Sequence, residues 1–426
     1  MTRFTVNGRE IALDLDPDTP LIDVLRERLH LVGAKQGCEE GVCGTCTVLI
    51  DGRPRTPCIF PLRRAAGRSV TTIEGLGDSA DPHPIQRAFA ESGAVQCGFC
   101  TPGMVMTAKA LLDRNRDPTR REAEHAIRGH ICRCTGYTKV VDAVLLAARA
   151  LRGEGTETPP AADPGCLKKA TGEAAYTNDI RPPGLLHARV LHSEVDHGEI
   201  RKLDTGPARA RPGVRGVFTL DDLPGERWIG RRLKDQPVLA GRRVRYRGEP
   251  IALVVADTPH AAEDALRSIA LEVRPLKPVR SPEEALAPGA PALHPDGNVC
   301  WTQNVRRGDA VKAFGRAAAV VADTYRTPCN EHVYLEPDAA LADWDEEGRL
   351  TVHLPTQEIH DIRRLVAASL ALSPERVRVI QTAMGPEALP NADRLLDIYE
   401  IEVAPVDEQQ VELARDGMVR FGKGRG

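Results

Sequence analysis

Residues 33–58 read GAKQGCEEGVCGTCTVLIDGRPRTPC, and this stretch decides how the chain around it folds. It sets Cys38, Cys43, Cys46 and Cys58 in a C-x4-C-x2-C-x11-C arrangement, three thiols from one loop and a fourth from farther along. A plant-type [2Fe-2S] centre asks for that layout. Gly37, Gly41 and Gly44 alternate with the cysteines. Glycine lets a backbone wrap closely around a cluster and turn its amides toward sulfur without Cβ clashes. Four thiolates also suit structural zinc, whose usual signature is two short-spaced pairs; the glycine-laced triplet fits that poorly, and disulfides fit a reducing compartment less well still. Working outward, residues 3–7 and 47–50 predict short strands. Residues 20–31 predict a helix with a Leu21, Val24, Leu25 and Leu29 face, and Asp51-Gly52 predicts a hairpin turn. Together they describe a β-grasp, ferredoxin-like [2Fe-2S] domain over residues 1–80.

A second group follows. QCGFC runs from Gln96 to Cys100 and CRC from Cys132 to Cys134, giving C-x2-C-x31-C-x1-C for Cys97, Cys100, Cys132 and Cys134. Two short pairs so far apart must be brought together by the fold. Residues 101–113 predict a helix with Thr101 as N-cap and Pro102 at the first helical position, and Thr119 with Glu122 signals a capping box. Residues 84–90 and 140–151 add two more helices. Residues 81–151 therefore form a helical-bundle [2Fe-2S] domain with ligand pairs at helix termini, where exposed amides favour anionic thiolates. A lone CxxC would read as a thioredoxin-like redox pair; the neighbouring CxC and the group upstream weigh against it. Two one-electron centres in one chain can draw charge away from a two-electron reaction.

The whole chain has 426 residues, 42% apolar and 27% charged, enough for several cores. Its 57 Lys and Arg nearly balance 60 Asp and Glu, for a formal charge of -3, and no basic run interleaves with aromatics. That excludes a nucleic-acid footprint or a polybasic membrane anchor. The N-terminus lacks the apolar stretch of a signal peptide and no segment offers 18 consecutive apolar residues, so a cytoplasmic location with no membrane partner is expected. Eight of the eleven cysteines lie between residues 38 and 134. Cys166, Cys300 and Cys329 are isolated and read as ordinary thiols.

Residues 152–164, RGEGTETPPAADP, read as a flexible link. Beyond it the pattern is α+β: strand-like runs across 184–201, 214–220, 244–246 and 250–255, a helix over 260–269 and a strand over 270–273. Strands are predicted at 318–325, 339–343, 350–354 and 377–381, with a helix over 358–372. Glu331, His332 and Glu336 mimic a metal site, but strand periodicity puts neighbours on opposite faces, and His332 reads as a structural histidine.

The order GCxxGxCGxCTV, a fourth cysteine, QCGFCTPG and CRCTGY resembles the iron-sulfur portion of the molybdenum hydroxylases, the family of xanthine dehydrogenases and aldehyde oxidoreductases. The resemblance implies that the Cys38 set lies outward and the Cys97 set nearer a molybdopterin. It also implies that Gln96 contacts the pterin and that Cys134 lies beside the same cofactor. GCLKKATGEAAYTNDI and VRYRGEPIALVVADTPHAAEDAL resemble the family's α/β hammerhead domain, placed at 165–295. NEHVYLEPDAALA and HLPTQEIHDIRRLVAASLALSPERVRVIQTAMG resemble the start of a molybdopterin-binding domain, placed at 296–385. No flavin domain intervenes, which implies no FAD. Asn330 falls where related sequences often place a glutamine near the molybdenum, with a changed side-chain reach.

After Gly385 the family continues into a GGGFGGK-type loop and a distant catalytic glutamate; residues 386–426 of this chain are a divergent tail instead. The expectation is iron-sulfur electron transfer within a hydroxylase of aldehydes or N-heterocycles whose catalytic half is missing here, so that no catalytic residue is named. Molybdopterin then binds only where another polypeptide supplies the rest, as a larger molybdopterin-binding subunit or in a homodimer, and an acceptor protein or small molecule takes the electrons. The alternative is a stand-alone two-cluster electron-transfer protein with a vestigial molybdenum domain.

Overall fold

The computed structural model describes residues 1–154, 164–230, 233–294, 296–299, 302, 304, 308–328 and 333–384. Strands β1 (Thr2–Val6) and β2 (Arg9–Leu13) form a hairpin across Asn7-Gly8, both at positive φ. The pair β3 (Val48–Ile50) and β4 (Arg53–Arg55) turns at Asp51-Gly52, also at positive φ, as the dipeptide predicts. With β5 (Ser69–Thr71) the sheet order is β2-β1-β5-β3-β4, and β1 and β5 run parallel at its centre. Phe4, Val6, Val48, Ile50 and Val70 pack one face of it against Leu21, Val24, Leu25 and Leu62. The helix expected over 20–31 is shorter and of mixed type. α1 (Leu21–Asp23) passes into a π-helical turn, Val24–Arg28, where Leu29 N reaches Val24 O at 3.1 Å. The wider turn brings Arg26 inward together with its apolar neighbours.

Helices α2 (Pro84–Glu91), α3 (Thr101–Arg114), α4 (Arg120–Ile127) and α5 (Thr138–Leu151) make the second unit. Ile85, Phe89, Met104, Val105, Leu112, Ile127, Val140 and Val144 share its core. The Thr119 and Glu122 capping box forms as predicted. Thr101 does not cap α3. Cys100 does, in a helical backbone conformation, because its carbonyl already accepts Met104 N at 3.2 Å, and Thr101 is buried as the first helical residue.

Residues 155–163 of the expected link lie outside the described part. Past them, α6 (Pro164–Thr171) and a 3-10 turn at Thr177–Asp179 wedge against both iron-sulfur units. The next unit holds β6 (His187–His192), β7 (Gly198–Asp204), α7 (Gly206–Arg209), β8 (Val214–Phe218), β9 (Trp228–Ile229), β10 (Gln236–Pro237) and β11 (Arg243–Val244). It ends with β12 (Pro250–Ala256), α8 (Pro259–Arg267) and β13 (Ala270–Pro275). Two three-stranded antiparallel sheets result, β6-β12-β8 and β11-β7-β13, and α8 buries Ala262 and Ala265 against Val217 and Val254.

After the short helices α9 (Pro282–Leu286) and α10 (Ala310–Phe314) comes a sheet β14-β15-β16 from Leu341–Trp344, Leu350–Leu354 and Val377–Gln381. α11 (Ile359–Ser369) packs on it. The strand expected at 318–325 is absent: the segment is coil with Val320, Val321 and Tyr325 exposed, since no described strand lies beside it to complete a ladder. Nor are residues 333–336 a strand. Among the described residues, no helix is long and apolar enough to cross a membrane.

Candidate functional site

The Cys38 loop folds its own backbone onto its sulfurs. Cys43 N donates to Cys38 Sγ at 3.3 Å. Burial pushes the Cys38 thiol up, but hydrogen bonds from the amides of Cys43, Glu40 and Val42 outweigh it and hold the thiol below its ordinary value. Cys46 Sγ and Cys58 Sγ lie 3.5 Å apart. Their hydrogen bond pushes Cys46 up, reinforced by burial, and pulls Cys58 down to about 6. Thr45 Oγ1 touches Cys43 Sγ at 3.2 Å while donating to Lys35 O at 3.0 Å, which ties the loop to the chain before it. A Cβ on Gly37 would come within 3.2 Å of Cys43 Sγ, so the loop closes tightly around its thiols.

The second set lies where α3 begins and where the α4–α5 connection passes. Cys97 and Cys134 share a hydrogen bond, as do Cys100 and Cys132, and Cys132 also meets Cys134. The thiols of Cys100 and Cys134 draw the Cys132 thiol far down, and Cys100 in exchange is pushed up by Cys132 and by burial. Cys97 is lowered chiefly by Cys134, with the Lys169 ammonium adding to the effect. Thr135 Oγ1 reaches Cys132 Sγ at 3.2 Å. Tyr137, at φ 68°, accepts from Cys132 N at 2.9 Å through its hydroxyl and donates to His130 O at 3.1 Å.

The two ligand loops are in direct contact. Ile131 N donates to Cys43 O at 2.9 Å, one peptide away from Cys132. Buried His130 bonds Thr107 Oγ1 through Nε2 at 2.7 Å, and burial holds its pKa down to about 4, so the imidazole is neutral. Gly44 lies beneath that ring at φ 75°; a Cβ there would sit 2.6 Å from His130 Nδ1 and 2.7 Å from Gly129 O.

All eight cysteines picked out from spacing are free thiols gathered into two groups. Among the described residues, no three His, Cys, Asp or Glu side chains converge on a point suited to one metal ion. Four thiols in one group match the number a [2Fe-2S] cluster takes, two on each of two irons. Gln96 is half-buried beside Cys97, and its carbonyl accepts from Lys169 Nζ at 2.9 Å. Half-buried Cys134 packs against the buried cluster of Cys97, Phe99, Ala174 and Tyr176, as do Leu335 and Ala383. Asn330 lies outside the described residues, as do Cys300, Cys329, Glu331, His332 and the tail after 385. Spacing did not reveal Thr45, His130, Thr135 or Tyr137, whose partners are backbone atoms, a thiol or, for His130, the Thr107 hydroxyl; the CRCTGY block was the one visible signal for the last two.

Family models match along the chain in the same order. A 2Fe-2S iron-sulfur cluster binding domain covers residues 4–67 and a [2Fe-2S] binding domain covers 72–145. An aldehyde oxidase and xanthine dehydrogenase a/b hammerhead domain covers 171–277, and a molybdopterin cofactor-binding domain 293–386. The chain is 34% identical over 413 residues to the aldehyde oxidoreductase of Megalodesulfovibrio gigas, covering 90% of this chain and 46% of that protein. It is 46% identical over 144 residues to the nicotinate dehydrogenase small FeS subunit of Eubacterium barkeri, covering 34% of this chain and 92% of that protein. The chain belongs to the molybdenum hydroxylase family. The solved aldehyde oxidoreductase from Desulfovibrio gigas superposes with a TM-score of 0.80 at 32% identity, covering 93% of this chain and 47% of that one. This molybdenum hydroxylase chain thus spans about half the length of the aldehyde oxidoreductases it matches. Its two iron-sulfur domains are fused to a hammerhead domain and part of a molybdopterin-binding domain, and residues 146–170 leave no room for a flavin domain between them.

Proposed function

We propose that this chain is the electron-relay and docking portion of a molybdenum hydroxylase acting on an aldehyde or N-heterocycle. The observation that carries this reading is the Ile131 N to Cys43 O hydrogen bond, which joins the two four-thiol groups through one backbone contact. Cys38, Cys43, Cys46 and Cys58 would hold one cluster, and Cys97, Cys100, Cys132 and Cys134 the other. Bound there, two [2Fe-2S] clusters supply one-electron carriers that divide a two-electron oxidation into single transfers. The chain's own residues shield and orient them. Buried Phe99, Tyr176 and Ala174 exclude water from the Cys97 side, while half-exposed Cys38 and Cys58 leave the other set open to an acceptor protein or small molecule.

The molybdenum-facing side is supported by the contact of Ala383 N with Ala175 O at 3.0 Å and of Thr382 Oγ1 with Thr177 Oγ1 at 2.8 Å. These seat the molybdopterin-binding segment beside Cys97. Gln96 and Cys134 would then face the pterin and Asn330 the metal pocket, with the remaining molybdopterin contacts coming from a larger subunit or a homodimer in a reducing, cytoplasmic setting. A second reading, a two-cluster electron-transfer protein with no turnover of its own, draws support from the match of the iron-sulfur part to nearly the whole of a separate small FeS polypeptide of nicotinate dehydrogenase. Iron and acid-labile sulfide analysis with an EPR-monitored redox titration tests both. Two reducible [2Fe-2S] signals uphold the relay; a zinc-loaded protein without sulfide sinks it. Substrate-dependent reduction of those signals, once the complementing molybdopterin portion is added, separates the first reading from the second.

A further inference from the structure

The wedge from Pro164 to Asp179 does more than connect domains. Three consecutive carbonyls at the second ligand loop face three of its side chains: Cys166 Sγ to Val95 O at 3.9 Å, Lys169 Nζ to Gln96 O at 2.9 Å, and Tyr176 Oη to Cys97 O at 2.6 Å. Lys169 lies unusually close. A Cβ on Gly98 would come within 2.7 Å of its Cβ, Cγ and Cδ, and Gly98 is at φ 80°, so glycine alone lets this stem run over the loop between Cys97 and Cys100. The same ammonium donates to Met384 O at 3.0 Å. Both of its partners are uncharged carbonyls. Tyr176 in turn is 1% exposed, lies edge-on to Phe99, and carries the Lys35 ammonium 4.7 Å above its ring.

We propose that Lys169 and Tyr176 are positioning residues of the second iron-sulfur centre: they fix the Gln96–Gly98 backbone and set one positive charge against its Cys97 side, raising its reduction potential. The inference rests on Cys97, Cys100, Cys132 and Cys134 being [2Fe-2S] ligands. Reduction adds one negative charge to the centre, and a cation held nearby in partly buried surroundings stabilises that form. Because Met384 O shares the ammonium, the seating of the molybdopterin-binding segment and the electron affinity of the centre are linked through one side chain.

The test is the midpoint potential of each centre in the full chain, loaded with iron and sulfide and titrated under EPR. In Lys169→Met the second centre shifts to lower potential, its reduced-to-oxidised ratio at fixed potential falling about tenfold, or 59 mV for a one-electron couple. The first centre stays put as an internal reference, and Lys169→Arg restores most of the shift. Tyr176→Phe keeps the charge and releases Cys97 O, so it moves the second centre the same way by less. Unmoved potentials in Lys169→Met, or equal shifts in both centres, overturn the inference. If Lys169→Met assembles no second centre, Tyr176→Phe decides, and an unmoved potential there overturns it. A wild-type chain without a second signal refutes the ligand reading itself.

Discussion

Cys38, Cys43 and Cys46 owe their places to one short loop whose amides turn onto its own sulfurs, whereas Cys97, Cys100, Cys132 and Cys134 are held by stretches from across the chain. The first loop is partly open to solvent, with Val42 and Ile59 exposed at its edge. The second is roofed by the wedge from Pro164 to Asp179 and by Thr382–Met384. A locally built site can form with its own domain alone; a site roofed from a distance inherits the stability of whatever holds the roof. Here that hold is a buried ionic knot. Asp179 accepts from Arg26 at 2.7 Å and from Lys35 at 2.7 Å, with all three side chains 1–2% exposed, so the first domain pins the wedge and the wedge pins the second loop.

Cutting that knot is the most damaging way to break the contrast. Asp179→Ala leaves two buried cations without their carboxylate, and removing one member of a buried ion pair costs about 3–5 kcal/mol. Burial already pushes Lys35 below its ordinary value, with Asp179 opposing the shift, so loss of the carboxylate drives Lys35 toward its neutral form. Thermal unfolding should fall accordingly, and limited proteolysis should open the wedge before the first domain. Unchanged proteolysis would mean that the contacts of Lys169 and Tyr176 with the second loop suffice to seat it.

The next effect sits where the two loops touch. Gly44→Ala drives a methyl into His130 and Gly129 O at a backbone angle that favours glycine. Overpacking of this kind costs about 1–3 kcal/mol. The Ile131 N to Cys43 O bond should lengthen and weaken the magnetic coupling between the two reduced centres, a change visible by EPR at low temperature. Tyr137→Phe acts within the second loop only. It strands Cys132 N and His130 O, for about 1–2 kcal/mol, and should speed loss of the second cluster's visible absorption under chelator while leaving the first unaffected.

The same contrast governs what could be read before the fold was known. Cys38 to Cys58 with their glycines spell out a cluster loop because ligand and support are neighbours in sequence, and Asp51-Gly52 fixed its hairpin for the same reason. The Cys97 set was legible as ligands, since thiols at short spacing have few other uses, but its support was not. Lys169 and Tyr176 act on carbonyls 73 and 79 residues away, and any residue type offers a carbonyl. The π-helical turn after Asp23 escaped because its apolar spacing is nearly that of an α-helix. The run at 318–325 has strand composition and no strand, since pairing is a property of the neighbour as much as of the segment.

The smallest effect comes from α2, which packs against α5 and α6 and so stands under the second site. His83 caps this helix: its Nδ1 accepts from Ile85 N at 3.2 Å, while Gln86 Oε1 accepts from His83 N at 2.8 Å. The ring must be neutral to accept. Burial holds its pKa below the ordinary 6.5, with the Lys109 ammonium helping. The unfolded chain therefore binds a proton that the folded chain resists, and stability falls as pH drops below about 6.5. An N-cap is worth about 1 kcal/mol, which bounds the loss from this residue. In His83→Asn, which keeps a capping acceptor and removes the titration, the melting temperature should decline less between pH 7 and pH 5 than in the wild type. An identical slope in the two proteins would place the acid sensitivity elsewhere, and α2 would then count as a passive support of the second site.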